Sequence, residues 1–413
     1  MMKSIKKQVL LLLLLFFSLT VFWTTVFASD KPAWTIDNKK MSLPKHEPSG
    51  RNDPEFHVHF TLDNKILISF LQRSLQTELV TKDTPEKSDS FFVALLLSRE
   101  NGELIKKVEW PVMLESAPRR QNKILPLPSG GYVGIIDKLD FASEYRKTVT
   151  HLQTFDPSFN VIHDRVLDTW QHGEVVSYNI IVPLSGKFFT LSQKEYLSRN
   201  RFERVIEIIN SITFEQVERF EQPNFRIMDI LEDRLLSVNY SEDTRESYFF
   251  EKNIGALRWN GLGLTKWSTL GILDRRYANP RFIYNGAIVD SDSIGPVYDR
   301  KSFWVIIEDD KKSDPVFEGC ISKPSWNTPI VACEKSKVSA IRSFFDLFGK
   351  DWVEAYDLST RKVLLKTKAY SQDSISGEKM VDYAISPDGD SIILMTNKKI
   401  ELYNVKPKKE NKY

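Results

Sequence analysis

The chain has 413 residues, 41% of them hydrophobic and 12% aromatic, which is a globular rather than a disordered composition. Lysine and arginine number 57 against 55 aspartate and glutamate, so there is no long-range field to capture a polyanion, which argues against a nucleic-acid partner. The length admits two or three ordinary domains or one repeat body.

Lys3, Lys6 and Lys7 precede an unbroken apolar run from Val9 to Phe17, which continues with few polar breaks to Phe27. Val26 and Ala28 are small residues at the two positions that signal peptidase reads, so residues 1–28 are expected to be a secretory signal cut after Ala28. The stretch Val9 to Phe27 is also long enough to span a bilayer, and an uncleaved anchor is the alternative. Either reading puts the body outside the cytoplasm, in the periplasm or the medium, and no membrane insertion of the mature chain is expected unless the segment is retained. No cysteine follows the run, which removes a lipoprotein. Residues 1–28 carry three lysines and no acid, so the remainder has one more acid than base. Residues 29–55, rich in proline and charge and without periodicity, read as an exposed lead-in.

From residue 56 one pattern recurs. "FTLDNKILISF" from Phe60, "LPLPSGGYVGII" from Leu125, "IVPLSGKFFTL" from Ile181, "DILEDRLLSV" from Asp229 and "AISPDGDSIILM" from Ala384 each place an apolar residue before a turn of Asp, Asn, Ser or Gly, followed by β-forming residues. Asp-Asn, Ser-Gly and Asp-Gly supply the positive-φ positions of tight hairpins. A second hairpin alternates with the first in "LLLSRENGELIKKVEW" from Leu95, "LQTFDPSFNVIHDRVL" from Leu152, "EIINSITFEQVERFE" from Glu207 and "EAYDLSTRKVLLKTK" from Glu354. Ser98, Asp156, Asn210 and Asp357 hold matching places, where each side chain can bond the backbone two residues on. Two hairpins make a four-stranded unit, and Asp63, Gly130, Gly186 and Asp233 lie 67, 56 and 47 residues apart, centred on a propeller blade with insertions.

Helix signals are nearly absent. "RFERVIEIINSITFEQVERF" from Arg201 can be scored as amphipathic, but its β-branched Ile206, Ile208 and Ile209 and the Asn210-Ser211 break predict strands. Between about Tyr240 and Lys350 the pattern is irregular, with "PVYDRKSFWVII" from Pro296 as a further strand pair. The count predicts seven blades, with six as the alternative. The last unit is short of a strand, which a segment near Trp34 to Phe60 would complete. The tail "KPKKENKY", residues 406–413, reads as solvated.

Four groups of residues bear on chemistry. His57 and His59 in "FHVHF" point to one face of a strand and would share a metal, but no acidic or third histidine ligand stands nearby, so a half-exposed strand face is the plainer reading. His46, His151, His163 and His172 are scattered. Asp290 and Asp292 in "VDSDSIG" precede Gly295 as in short calcium loops but lack the further carboxylates, so a solvated turn is expected. Gly261 and Gly263 between Trp259 and Trp267 neither follow a parallel strand nor open a helix, which argues against a phosphate cradle; packing between blades, or a sugar-stacking rim, is the reading. Cys320 and Cys333, separated by a proline-containing turn in an exported chain, are expected to form a disulfide, with two buried thiols as the rival. No cofactor, metal site or catalytic signature is expected.

"ISPDGDSIILM" from Ile385 together with "VEAYDLSTRKV" from Val353 resembles the paired half-repeats of WD-repeat-like and YVTN-type bacterial β-propellers, a likeness good over residues 351–405 and weaker over 56–238. Arg361 stands where that family commonly has glycine, and no Gly-His or Trp-Asp signature appears. The resemblance implies an all-β propeller of four-stranded antiparallel blades over residues 56–405. The function expected is an extracytoplasmic binding or scaffold module for a protein or glycan partner, recognised by loops at one end of the ring. The alternative is a propeller lyase or hydrolase with its site in the central channel.

Overall fold

Turns built from Thr, Ser, Asp, Asn and Gly divide the chain into short strands. In the computed structural model the described residues are 30–43, 56–73, 90–112, 122–140, 147–170, 176–182, 186–198, 201–221, 225–231, 234–241, 246–256, 258, 260–265, 268–271, 282–288, 301–308, 311–312, 317–318, 321–325, 328, 330–337, 350–357, 360, 362–371 and 378–405. The segments read as a signal, as part of the lead-in and as a charged tail lie outside them.

Strand β1 (Trp34–Asp37) stands apart from its neighbours in sequence. The first blade is β2 (His57–Phe60), β3 (Ile66–Arg73), β4 (Ser90–Leu97) and β5 (Leu104–Val112). The second is β6 (Lys123–Pro126), β7 (Tyr132–Asp140), β8 (Lys147–Phe155) and β9 (Val161–Trp170). The third is β10 (Val176–Ile181), β11 (Phe188–Ser198), β12 (Arg201–Asn210) and β13 (Gln216–Glu221). The fourth is β14 (Phe225–Leu231), β15 (Arg234–Ser241), β16 (Glu246–Asn253) and β17 (Asn260–Thr265). The fifth is β18 (Ser268–Gly271), β19 (Phe282–Ile288) and β20 (Lys301–Glu308), with β21 (Lys311–Lys312) and β22 (Phe317–Glu318) both pairing β20. The sixth is β23 (Ile321–Pro324), β24 (Ile330–Lys337) and β25 (Lys350–Asp357), with β26 (Lys362–Lys366) and β27 (Tyr370–Ser371) sharing its outer position. The seventh sheet is β28 (Met380–Ile385), β29 (Ser391–Thr396), β30 (Lys399–Asn404) and, outermost, β1. This is an all-β propeller of antiparallel blades.

The turn residues shape the hairpins as their chemistry requires. Thr61 Oγ1 accepts from the Lys65 N–H at 2.9 Å while Asn64 takes φ +59°. In the equivalent turn of the last blade, Ser386 Oγ accepts from the Ser391 N–H at 3.0 Å while Gly389 takes φ +74°. At the second hairpins, Ser98, Asp156 and Asn210 accept from the N–H groups of Glu100, Ser158 and Ile212 at 3.2, 2.8 and 2.9 Å. Asp357 reaches one residue further, to Thr360 at 3.3 Å. The amphipathic-looking stretch from Arg201 is the β12–β13 hairpin.

The strand missing from the last unit comes from the N-terminal side. Trp34, Thr35, Ile36 and Asp37 pair with Leu402, Glu401, Ile400 and Lys399, and Asn38 Nδ2 donates to the Thr396 carbonyl at 2.9 Å. The lead-in is therefore not an exposed segment throughout: residues 34–37 are a strand of the ring, and Asn38 and Leu43 are buried. Leu43 has an apolar core to enter, which composition alone did not reveal.

The core lies between blades. Ile66, Ile68 and Phe70 of β3 pack toward Ile393, Met395 and Leu402 of the last blade, whereas Leu67 of the same strand packs with Ile124, Tyr132 and Phe155 of the second blade. Because both faces of a middle strand are covered, it reads as a continuous apolar run, and all six residues of β29 are buried. Outer strands have one covered face at most; β5 is exposed over Leu104–Lys107.

Candidate binding cleft at the ring seam

A cleft of about 600 Å³ opens where the first blade meets the last. Its walls are the β2–β3 turn (Asp63, Asn64, Lys65), the β4–β5 turn (Ser98, Arg99, Glu100), Ile105, Ala33 just before β1, and Leu402 and Asn404 of β30. Glycine lets the second turn approach: Gly102 takes φ +72°, and a Cβ there would overlap the Ile36 side chain of β1. Trp34 Nε1 donates to the Arg99 carbonyl at 2.8 Å, so β1 and this turn hold each other.

The electrostatics of the cleft are those of paired charges. Arg99 lies 2.6 Å from Asp388 Oδ2 and also donates to Ser391 Oγ from two nitrogens, at 2.9 and 3.2 Å. Asn64 Nδ2 donates to the same carboxylate oxygen at 3.1 Å. Burial pushes the Asp388 carboxyl up, but hydrogen bonds from Ser386 and Arg99 outweigh it and hold the group below its ordinary value. Asp63 is likewise pushed up by burial and held low by its bonds from Lys65 and Thr61, the Lys65 ammonium standing 2.7 Å away. Among the described residues the cleft thus offers two cations, Lys65 and Arg99, and two anions, Asp63 and Glu100, beside the apolar Ile105 and Leu402, with no histidine or thiol in its walls to activate a nucleophile. Such a lining can hold a ligand that carries both signs of charge.

A second polar cluster is a lock rather than a site. Glu401, 2% exposed, lies 2.7 Å from the Lys399 ammonium and accepts from the Tyr370 and Tyr403 hydroxyls at 2.5 and 3.2 Å. Burial pushes its carboxyl up, and the bonds from Lys399 and Tyr370 overcome this and hold it low. Both oxygens are engaged, one by Lys399 and the other by the two tyrosine hydroxyls, so this carboxylate is held ionised in place.

The residues singled out in the sequence are mostly kept apart. His57 and His59 share the half-buried face of the innermost strand β2, opposite the core residues Val58 and Phe60. The Val58 N–H beside them donates to Asp382 Oδ2 of β28 at 2.8 Å. Among the described residues no three His, Cys, Asp or Glu side chains gather as a metal site. His151 Nδ1 sits 2.6 Å from Asp164, which Gln153 also bonds at 2.7 Å. His163 stacks on Phe214 with centroids 5.1 Å apart. Gly261 and Gly263 lie within β17, paired with Phe250 and Phe249, not in a loop. Cys333 is fully buried in β24, and no described cysteine is free. Cys320, Trp259, Trp267, Asp290, Asp292, Gly295, His46 and His172 lie outside the described residues. The seam cleft escaped sequence reasoning because its walls come from opposite ends of the chain. One signal was present: "TLDN" from Thr61 and "SPDG" from Ser386 are the same turn, which puts Asp63 and Asp388 at equivalent places in adjoining blades.

No protein-family model matches the chain, and no curated protein matches it in sequence. Solved structures do. The acylaminoacyl peptidase of Pyrococcus horikoshii superposes with a TM-score of 0.51 at 8% identity over 86% of this chain, which spans about half (52%) of that enzyme. The β-propeller domain of the Trilobed protease from Pyrococcus furiosus, which has an open velcro topology, superposes with the same TM-score and identity over 86% of this chain and 99% of that domain. The oligogalacturonate lyase of Vibrio parahaemolyticus is similar at a TM-score of 0.49 and 9% identity, over 86% of this chain and 97% of the lyase. At such identities the likeness is one of fold alone, and the fold it shows is the β-propeller.

Proposed function

We propose that the chain is an exported β-propeller that serves as a binding module for a protein or glycan partner. The observation that carries this reading is the unequal length of the connections at the two ends of the blades. In a meander, alternate connections lie at opposite ends of the sheet. The first and third connections of most blades are tight turns, and they meet across blades: Gly389 packs on Thr328 and Gly186 on Pro128. At the other end the second connections of three blades are long, residues 74–89, 289–300 and 338–349, and 113–122 leads from β5 to β6, while 199–200, 242–245 and 397–398 are short. Long connections on a rigid base are where recognition sequence is accommodated. Export rests on the lysines and apolar run of residues 1–28, and a Cys320–Cys333 disulfide would agree with it. The Ser-Pro-Asp-Gly turn and the Tyr356-Asp357 hairpin support placing the chain among WD-repeat-like and YVTN-type propellers.

A second reading, an enzyme with its site in the channel, draws on the titratable His57, His59 and Asp382 on the inner strands β2 and β28. The two are separated by probing the protein, as exported by its cells, with a glycan array and with envelope proteins. Saturable binding of one species, lost when residues 338–349 are replaced by a glycine-serine linker but kept in His59→Ala, supports the binding module. Turnover abolished by His59→Ala would replace that reading with the enzyme.

A further inference from the structure

The turn that holds β1 carries a reactive sequence. Asn-Gly occurs at residues 101–102, 260–261 and 285–286, and it is the pair in which the nitrogen of the second residue, unhindered by a Cβ, can approach the side-chain carbonyl carbon of the first. The fold treats these pairs differently. Gly261 lies in β17 opposite Phe250, and Gly286 lies in the middle strand β19 between Thr269 and Phe303. Ladder pairing keeps both backbones extended and resists the fold-back that ring closure needs. Asn101 instead is exposed at the tip of the β4–β5 turn, with Gly102 at φ +72°.

The local geometry favours attack at this turn. The Glu103 N–H donates to Asn101 Oδ1 at 3.1 Å, and the ring closed by that bond contains both Asn101 Cγ and Gly102 N. The carboxamide is thus folded toward the nitrogen that would attack it, and a donor already sits on the oxygen where negative charge develops. One contact opposes the reaction: the Gly102 N–H donates to the Ser98 carbonyl at 2.9 Å, so the nitrogen is released only when the turn opens locally. The same turn has no spare room on its β1 side. Its Arg99 carbonyl accepts from Trp34 Nε1 at 2.8 Å, and even a Cβ on Gly102 would overlap Ile36.

We infer that Asn101 is a site of spontaneous deamidation whose isoaspartyl product releases β1 from the seam. Gly102 N, its proton taken by solvent base, bonds to Asn101 Cγ; the Cγ–Nδ2 bond breaks, and the amide nitrogen leaves as ammonia, which closes a succinimide. Water then opens the ring at either carbonyl, giving aspartate or, where the chain is rerouted through Cγ, isoaspartate. One water is consumed, one ammonia is released, and nothing is oxidised or reduced. The rerouted chain has an extra backbone carbon between Glu100 and Gly102, and its new carboxylate stands between Glu100 and Glu103. Such a turn cannot keep both its bond to Trp34 and its fit against Ile36. The closure of the ring then has a finite lifetime, independent of any partner and of export.

The test is incubation of the folded, full protein in mildly alkaline buffer, followed by acidic digestion and fragmentation mass spectrometry that separates aspartate from isoaspartate at residues 101, 260 and 285. The result expected is conversion at 101 about tenfold faster than at the other two, or more, with isoaspartate among the products. Hydrogen exchange of the aged protein should be faster at residues 34–37 and unchanged in β11 and β12. Asn101→Gln, whose longer side chain would have to close a larger ring, should keep residue 101 intact and residues 34–37 protected through the same incubation. Asn101→Asp separates the charge from the rerouted backbone: freshly prepared, it should protect residues 34–37 as the unaged protein does. No conversion at 101, or equal conversion at the three sites, overturns the inference. So does conversion at 101 that leaves residues 34–37 unchanged, or loss of their protection in aged Asn101→Gln or in fresh Asn101→Asp. None of these outcomes bears on partner binding, so the proposed function stands or falls separately.

Discussion

Arg99 and Asp388, 289 residues apart in sequence, meet at 2.6 Å across the seam between the first and last blades. Each is also tied to a turn: the Arg99 carbonyl holds Trp34 of β1, and Asp388 accepts from Ser386 and Asn64. Arg99→Met is expected to cost about 1–2 kcal/mol, the low end for a charge-assisted bond because both groups are partly solvated. The unfolded carboxyl titrates near 3.8 and the folded one lower, so the stabilisation is complete above about pH 4 and is lost as pH falls through the folded value. Urea unfolding at pH 7 and pH 3 should show a larger difference between wild type and variant at pH 7.

Gly102→Ala tests the latch from the other side. The substitution places a side chain at φ +72° and against Ile36, so a loss well above about 1 kcal/mol is expected. The amides of residues 34–37 should exchange faster in the variant while those of β11 and β12 keep their protection. Uniform acceleration across all blades would mean that β1 is not separately latched.

Glu401→Ala should be among the costliest single changes, by about 3–5 kcal/mol, because it leaves Lys399 and the Tyr370 hydroxyl without their shared acceptor in a buried setting. Glu401→Gln keeps an acceptor for the hydroxyls and should lose less. The depressed carboxyl pKa gives this cluster the same sign as Asp388: its contribution is present above the ordinary carboxylate value and fades as pH falls through the folded one. Chemical denaturation of the two variants at pH 7 orders them.

A Cys320–Cys333 disulfide should give an intact mass two hydrogens below the dithiol, and Cys320→Ser should lower stability by about 3 kcal/mol under oxidising conditions. Equal stability of wild type and variant, each with and without reductant, would favour two buried thiols.

The propeller was legible because its turn residues are local. Ser386-Pro387-Asp388-Gly389 and Asp156 announce their hairpins within five residues, and the alternation of two hairpin types carries the blade. The need for a strand near Trp34 was legible from the short final unit, but its register was not: pairing Trp34 with Leu402 depends on a partner at the far end of the chain. Leu43 and Asn38 hid in a segment whose prolines and charges read as solvated. The seam cleft was illegible for the same reason, since Asp63, Arg99 and Leu402 carry no common local mark. His57 and His59 were correctly placed on one strand face, but what faces them across the channel is a matter of ring geometry that spacing does not encode.

The pairing of β1 with β30 sets an order on assembly. Asn38 and the carbonyl of Thr396 that it bonds are 358 residues apart, so the strand synthesised first waits, unpaired, for the one synthesised last. Loop closure of that span is among the slowest contacts a chain can make, and blades two to six have their own interfaces before it occurs. Any interruption of synthesis before residue 404 leaves an open sheet edge rather than a smaller ring. The ring therefore acts as its own proofreading device, since only a chain read through to the last strand can pair β1 with β30 and complete the seventh sheet.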